Sequence, residues 1–79
     1  MRTVVFAPGT TTAGDNIDLP SGSPPIAEIV SALLYDGTSS STPTATKVDE
    51  DTITLSEATG TSDILVLRYV AVGEYVAVE

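Results

Sequence analysis

The sequence predicts an all-β fold: a small antiparallel β-sandwich or a partly open barrel with an extended N-terminal arm. Twelve threonines and many valines favour extended backbone, because β-branched side chains pack well on a pleated sheet. Glycine, proline and aspartate cut the chain into short runs, as expected for strands joined by tight turns. At 79 residues and 8.1 kDa, the chain is predicted to form a single domain, residues 1–79, with a thin core.

The N-terminal part predicts two strands and two connections. Residues 2–7 (RTVVFA) form a first strand that ends at Pro8 and Gly9, since proline lacks the amide donor that a sheet requires. Residues 10–15 are predicted as a loop, residues 16–19 as a brief strand, and residues 20–25 (PSGSPP) as a surface connection. Residues 1–15 hold few core side chains, so we expect an extended arm that can add a strand to a neighbouring subunit by β-augmentation.

Residues 26–35 (IAEIVSALLY) fit two kinds of element. As a helix, they present an apolar stripe, with Ser23 as the N-terminal cap and Asp36 and Gly37 at the end. As a strand, they place Ala27, Ile29, Ser31, Leu33 and Tyr35 on one face, and Ile26, Glu28, Val30, Ala32 and Leu34 on the other. We favour the strand because the other predicted elements are extended, and the helix is the alternative.

The middle of the chain predicts a loop followed by a hairpin. Residues 38–43 (TSSSTP) are polar and of low complexity, so we expect a mobile loop. Residues 44–48 and 52–56 alternate in polarity on either side of the acidic residues 49–51. This pattern predicts two antiparallel strands with a short acidic tip.

The final strand is unusual because both of its faces are apolar. After a turn around Gly60, residues 64–72 form a long strand, which Gly73 separates from a second run at residues 75–78. One face is Ile64, Val66, Arg68, Val70 and Val72, and the other is Leu65, Leu67, Tyr69 and Ala71. A domain of this size has one core, so a second apolar face predicts an oligomer or docking on a larger protein. The alternative is a central strand covered by residues 26–35 and the N-terminal strand.

Charge and composition exclude several classes of function. Eleven acidic residues against Arg2, Lys47 and Arg68 give a net charge of −8, which repels nucleic-acid phosphates and anionic membranes. We therefore expect no nucleic-acid or membrane partner. The chain has no cysteine or histidine, so we expect no metal and no other cofactor. Its apolar runs are too short for a secretory signal or a membrane span, which predicts a cytoplasmic protein.

Short motifs in the sequence do not point to catalysis. Residues 9–15 have the glycine spacing of a phosphate-binding loop, but Asp15 stands where such a loop has lysine. Residues 49–60 lack the central glycine and final glutamate of an EF-hand, and Asp36 with Gly37 is explained by a turn. Without histidine or cysteine the usual nucleophile–base pairs are missing, so we expect no enzyme. A carbohydrate platform of Tyr35, Tyr69 and Tyr75 is possible, but packing is the favoured interpretation.

Two segments resemble small virion proteins of tailed bacteriophages. Residues 48–57 (VDEDTITLSE) contain a TITL strand, and residues 63–71 (DILVLRYVA) follow it after a glycine-containing loop. Within that group, the size and acidity resemble those of capsid decoration (cement) proteins. The resemblance implies a structural protein that binds the outside of an assembled head as a homo-oligomer, with a trimer favoured.

The same resemblance sets further expectations. The implied partner is the major capsid protein, and the implied location is the capsid exterior of a virion assembled in the host cytoplasm. It carries no catalytic, cofactor-binding or metal-binding residues. A tail, neck or head-fibre component is the alternative within virion proteins, and a carbohydrate-binding or adhesin β module is the alternative outside them.

Overall fold

The fold is all-β, as the sequence predicts. A computed structural model describes residues 1–73, which contain no helix and form two antiparallel sheets. The strands are β1 (Arg2–Phe6), β2 (Ile17–Asp18), β3 (Ile26–Tyr35), β4 (Ser40–Ser41), β5 (Ala45–Lys47), β6 (Thr52–Leu55) and β7 (Ile64–Ala71). The four-stranded sheet has the order β1-β7-β3-β4, and the three-stranded sheet has the order β2-β6-β5. The predicted run at residues 75–78 lies outside the described residues.

The segment that fitted either a helix or a strand is a strand. β3 has the predicted bounds and pairs with β7 along almost its whole length, from Ile26 opposite Ala71 to Tyr35 opposite Ile64. Its faces do not alternate as predicted, because the register shifts at two irregularities, one after Ile26 and one after Ile29. Each irregularity adds a residue that has no partner on β7, which changes the face of the residues that follow.

β5 and β6 form the predicted hairpin around residues 49–51. The tip is fastened to the rest of the fold by its backbone carbonyls, since Glu50 accepts from the amide of Ile26 at 2.7 Å and Asp51 accepts from that of Leu19 at 2.8 Å. These bonds satisfy amides at the end of β2 and the start of β3 that have no sheet partner there. The acidic tip therefore holds the two sheets together as well as turning the chain.

The predicted loop at residues 38–43 is more ordered than the sequence predicts. Residues 38–43 were expected to have no regular structure, but Ser40 and Ser41 pair with the end of β3 and Pro43 is buried. The carboxylate of Asp36 starts this turn by accepting from the amides of Thr38 (2.9 Å) and Ser39 (2.8 Å). A polar segment with little apolar surface is thus held by hydrogen bonds along β3.

The N-terminal segment folds onto its own chain. The predicted first strand is confirmed as β1, which pairs with β7 from Arg2 opposite Tyr69 to Phe6 opposite Leu65. Farther along, Thr11 and Thr59 form an isolated bridge, and their hydroxyl groups lie 2.9 Å apart. One side of β1 is therefore already paired with β7. The predicted addition of a strand to a neighbouring subunit could use only the other side of β1.

The core lies between the two sheets. Its buried apolar side chains are Ile17, Leu19, Ile26, Ala32, Leu34, Ile53, Leu55, Leu65, Leu67, Tyr69 and Ala71. Tyr69 is the largest fully buried side chain, and its hydroxyl donates to the carbonyl of Pro24 at 2.7 Å. This bond ties the proline-rich connection, residues 20–25, to β7, a central strand of the four-stranded sheet.

Candidate interaction surface

The two faces of β7 have different environments. Leu65, Leu67, Tyr69 and Ala71 point into the core and are almost completely buried. On the opposite face, Ile64, Val66 and Val70 are half-buried and Arg68 is exposed. The strand is central, between β1 and β3, which is the arrangement of the alternative prediction. The core therefore covers one apolar face of β7, while the other face points away from the core and is half-buried or exposed.

An apolar patch runs across the outer face of the four-stranded sheet. The register aligns Val5, Val66 and Leu33 in one row across β1, β7 and β3, and Ile64 with Tyr35 in the next outward-facing row. We call these five side chains the outer patch. Val5 is 60% exposed, Tyr35 is 44% exposed and Leu33 is 37% exposed. Side chains aligned on neighbouring strands are close enough to act as one continuous apolar surface.

The rows of the sheet beyond Val5, Val66 and Leu33 carry no net charge. The next row is Thr3, Arg68 and Ser31, and beyond it Glu28 lies opposite Val70. Arg68 and Glu28 are one positive and one negative charge on a chain whose net charge is −8. The other acidic residues among residues 1–73 lie on β2 and in turns: Asp15, Asp18, Asp36, Asp49, Glu50, Asp51, Glu57 and Asp63. The outer face of this sheet is thus a nearly neutral region of an acidic molecule.

The tyrosines do not form a shared platform. Tyr69 is buried on the inner face of its sheet, and Tyr35 stands on the outer face with its hydroxyl donating to the carbonyl of Gly37 at 3.0 Å. The predicted packing role is confirmed for Tyr69. Tyr75 lies outside the described residues. A sugar ring therefore has no pair of stacking surfaces from Tyr35 and Tyr69 together.

Two concave regions have volumes of about 430 Å³ each. One is lined by Ser23, Pro25 and the acidic tip, residues 49–51. The other lies between the end of β1 and β2, and includes Phe6 and Asp18. Within residues 1–73, no three histidine, cysteine, aspartate or glutamate side chains are grouped so that they could hold a metal ion.

The aspartates of the candidate motifs accept hydrogen bonds from amides within their own turns. Asp15, in the segment that resembles a phosphate-binding loop, accepts from the amide of Thr12 at 2.9 Å, and this bond lowers the pKa of its carboxyl group. The pKa of Asp36 is lowered by the amides of Ser39 and Thr38, and Gly37 in that turn has a φ of 94°. A positive φ favours glycine, which explains the Asp-Gly pair.

The acidic tip contains carboxyl groups with opposite pKa shifts. The amide of Asp51 donates to the carboxylate of Asp49 at 3.1 Å and lowers the pKa of Asp49. The pKa of Asp51 is raised by its side-chain interaction with Asp49, and the charges of Asp49 and Asp18 add to this effect. At neutral pH, Asp51 is therefore ionised even though Asp49 and Asp18 make its ionisation unfavourable.

We expect Asp51→Asn to raise the melting temperature at pH 7. A carboxyl group whose pKa is raised on folding favours the folded state below its unfolded-state pKa, and this contribution is lost as pH rises through the folded-state pKa. The gain in melting temperature of this variant over the natural chain should therefore be present at pH 7 and vanish in acid, where Asp51 is protonated. Thermal unfolding followed by circular dichroism between pH 2.5 and 7 measures it.

Asp36→Asn is the matched variant, and its expected change in melting temperature at pH 7 has the opposite sign. The pKa of Asp36 is lowered on folding, so its contribution is present above the unfolded-state pKa and lost as pH falls through the folded-state pKa. This variant should melt at a lower temperature than the natural chain at pH 7 and at the same temperature in acid. Equal shifts for both variants at pH 7 would contradict the assignment.

Within residues 1–73, no helix is long and apolar enough to cross a membrane.

Comparison with known proteins identifies no relative of this chain. The chain matches no protein-family model, and the searches of curated proteins and of solved structures found no match. Function is therefore inferred from the surface of the fold and from the sequence resemblance.

Proposed function

We propose that this protein is a structural virion component that binds the outer surface of a tailed-phage capsid and stabilises the shell through protein–protein contacts. The single observation that supports a binding role is the outer patch, an apolar row across β1, β7 and β3 that the core of this chain does not cover. The phage head is the assembly to which residues 48–57 and 63–71 point by resemblance. The partner is the major capsid protein.

Burial of the outer patch can supply the binding energy. Each 100 Å² of apolar surface removed from water contributes about 2.5 kcal/mol, before the entropic cost of association. The patch is flanked by Thr3, Ser31 and Arg68, which can form hydrogen bonds at the rim of an interface. An apolar centre with a polar rim is the usual arrangement of a protein–protein contact surface.

The charge distribution supports the capsid exterior as the site of action. Most acidic groups lie on turns and β2 rather than on the outer face of the sheet, with Asp36 and Asp63 at the end of the outer patch next to Tyr35 and Ile64. Their charge repels the packaged genome while the sheet face itself stays nearly neutral. The proposed role is mechanical, with no reaction and no cofactor, and the working form is a homo-oligomer. A tail, neck or head-fibre role would use the same surface against a different partner.

Leu33→Glu is expected to weaken binding to purified heads of the phage that encodes this sequence by at least about tenfold, because it places an unpaired charge in an apolar contact. Leu33 is on the outer face and 37% exposed, so the fold should be retained. Cosedimentation with heads that lack the protein measures the binding.

Thr46→Glu is the matched control, since it adds the same charge at an exposed position of β5 in the other sheet. We expect this variant to bind as the natural chain does. Equal loss of binding in both variants would contradict the role of the outer patch. A genome context without virion genes, or no binding of the natural chain to heads, would refute the capsid assignment.

A further inference from the structure

Arg68 is a positive charge in the middle of the outer face of the four-stranded sheet. It is exposed on β7, which is a central strand between β1 and β3. Val66 and Val70 precede and follow it on the same face of β7, and both are half-buried. Residues two positions apart on a strand are separated by about 6.5–7 Å. Arg68 therefore stands between apolar neighbours, one row of side chains away from Val66 in the outer patch.

The neighbours of Arg68 on this face do not neutralise its charge. Glu28 lies in the next outward-facing row, opposite Val70, but its carboxylate forms no ion pair with Arg68. The residues directly opposite Arg68 are Thr3 on β1 and Ser31 on β3, which carry hydroxyl groups and no charge. The guanidinium presents five N–H donors in a fixed plane. None of these three neighbours supplies an anionic acceptor for them.

A contact through the outer patch would include Arg68. A protein–protein contact of standard size covers about 800 Å² on each partner, which is much more than one row of side chains. A guanidinium that is removed from water without an acceptor opposes binding, because the desolvation of its charge is not compensated. A partner that covers the outer patch must therefore present an acceptor to Arg68.

We propose that the partner surface that covers the outer patch is apolar and carries one isolated carboxylate, which binds the guanidinium of Arg68. A carboxylate accepts two parallel hydrogen bonds from the planar fork of an arginine, which a hydroxyl or a single carbonyl cannot do. The carboxylate is isolated because the chain has a net charge of −8, so a broadly acidic or phosphate-rich surface would repel it. This inference rests on the proposed function and adds the recognition group on the partner, an aspartate or glutamate side chain of the major capsid protein.

Arg68→Gln is expected to weaken binding to purified heads that lack the protein by at least about tenfold, because it removes one partner of a charge-assisted pair. The position is exposed, so the fold should be retained, which circular dichroism checks. Arg68→Lys keeps the charge without the planar fork, and we expect its affinity to lie between those of the natural chain and Arg68→Gln. Cosedimentation measures the binding of all three chains.

Lys47→Gln is the matched control, since it removes the same charge from an exposed position of β5 in the other sheet. Both glutamine variants have the same net charge, so a general electrostatic effect would change their binding equally. We expect Lys47→Gln to bind heads as the natural chain does. Equal loss of binding in the two variants, or unchanged binding of Arg68→Gln, would overturn the inference.

Blocking the carboxylates of the heads tests the group on the partner. A carbodiimide with a neutral amine converts exposed carboxylates of the heads into uncharged amides before the chain is added. The natural chain should then bind about as weakly as Arg68→Gln binds untreated heads, whereas the treatment should not weaken the binding of Arg68→Gln. Equal weakening of both chains, or unchanged binding of the natural chain, would overturn the carboxylate assignment.

The same measurements separate this inference from the proposed function. If Leu33→Glu loses binding and Arg68→Gln does not, the inference is wrong and the role of the outer patch stands. If the natural chain binds no heads, treated or untreated, the proposed function is refuted, and the inference that rests on it is refuted as well.

Discussion

Replacing Leu67 with alanine is expected to lower the free energy of unfolding by about 2–5 kcal/mol, the cost of removing a buried leucine and leaving a cavity. Leu67 is fully buried at the centre of β7, opposite Val4 on one side and Ala32 on the other. A domain of this length is expected to be stable by only about 4–12 kcal/mol, so the loss is a large share of the total. Urea unfolding followed by circular dichroism measures it.

Val66→Ala is the matched control for this prediction. Val66 is the preceding residue on the same strand, but it lies on the outer face and is half-buried. Its replacement should cost less than about 1.5 kcal/mol, because most of its surface is not in the core. If the two alanine variants were equally destabilised, the assignment of an inner and an outer face to β7 would be wrong.

Replacing Tyr69 with alanine is expected to cost about 3–5 kcal/mol, as for other large aromatic side chains in a core. Tyr69 is fully buried, and its hydroxyl group donates to the carbonyl of Pro24 at 2.7 Å. At this domain size, the loss corresponds to a fall in melting temperature of at least about 12 °C. Differential scanning calorimetry measures the change.

Tyr69→Phe separates the hydrogen bond from the packing. It keeps the ring but leaves the carbonyl of Pro24 without this donor, so we expect a smaller loss of about 1–3 kcal/mol. The result would show how strongly the proline-rich connection is held to β7. A variant as stable as the natural chain would mean that this bond adds nothing to folding, and a loss equal to that of the alanine variant would contradict a packing role for the ring.

Local patterns were sufficient to predict most strands. The bounds of β3 agree with the predicted residues 26–35, and the β5–β6 hairpin surrounds the predicted acidic tip. These elements depend on alternation, β-branched content and turn residues, which are properties of neighbouring positions along the chain. β4 was missed because a pair of serines in a polar segment becomes a strand only when the end of β3 lies beside it.

The candidate surface could be predicted only in part. The sequence indicates that both faces of residues 64–72 are apolar, and this is so for β7. It does not indicate which face is covered, because that depends on which strands stand beside β7. The row of Val5, Val66 and Leu33 joins residues that are far apart in sequence, and no local pattern relates them.

Composition and local pattern by themselves determined that this protein is a small, acidic, all-β domain with a surplus of apolar strand. Only the tertiary structure decided that β7 lies between β1 and β3, that its leucines and tyrosine face the core, and that the edge of β1 has no strand partner within residues 1–73. The physical reason is that alternation follows from the geometry of a single strand, whereas strand order and register follow from packing between distant segments.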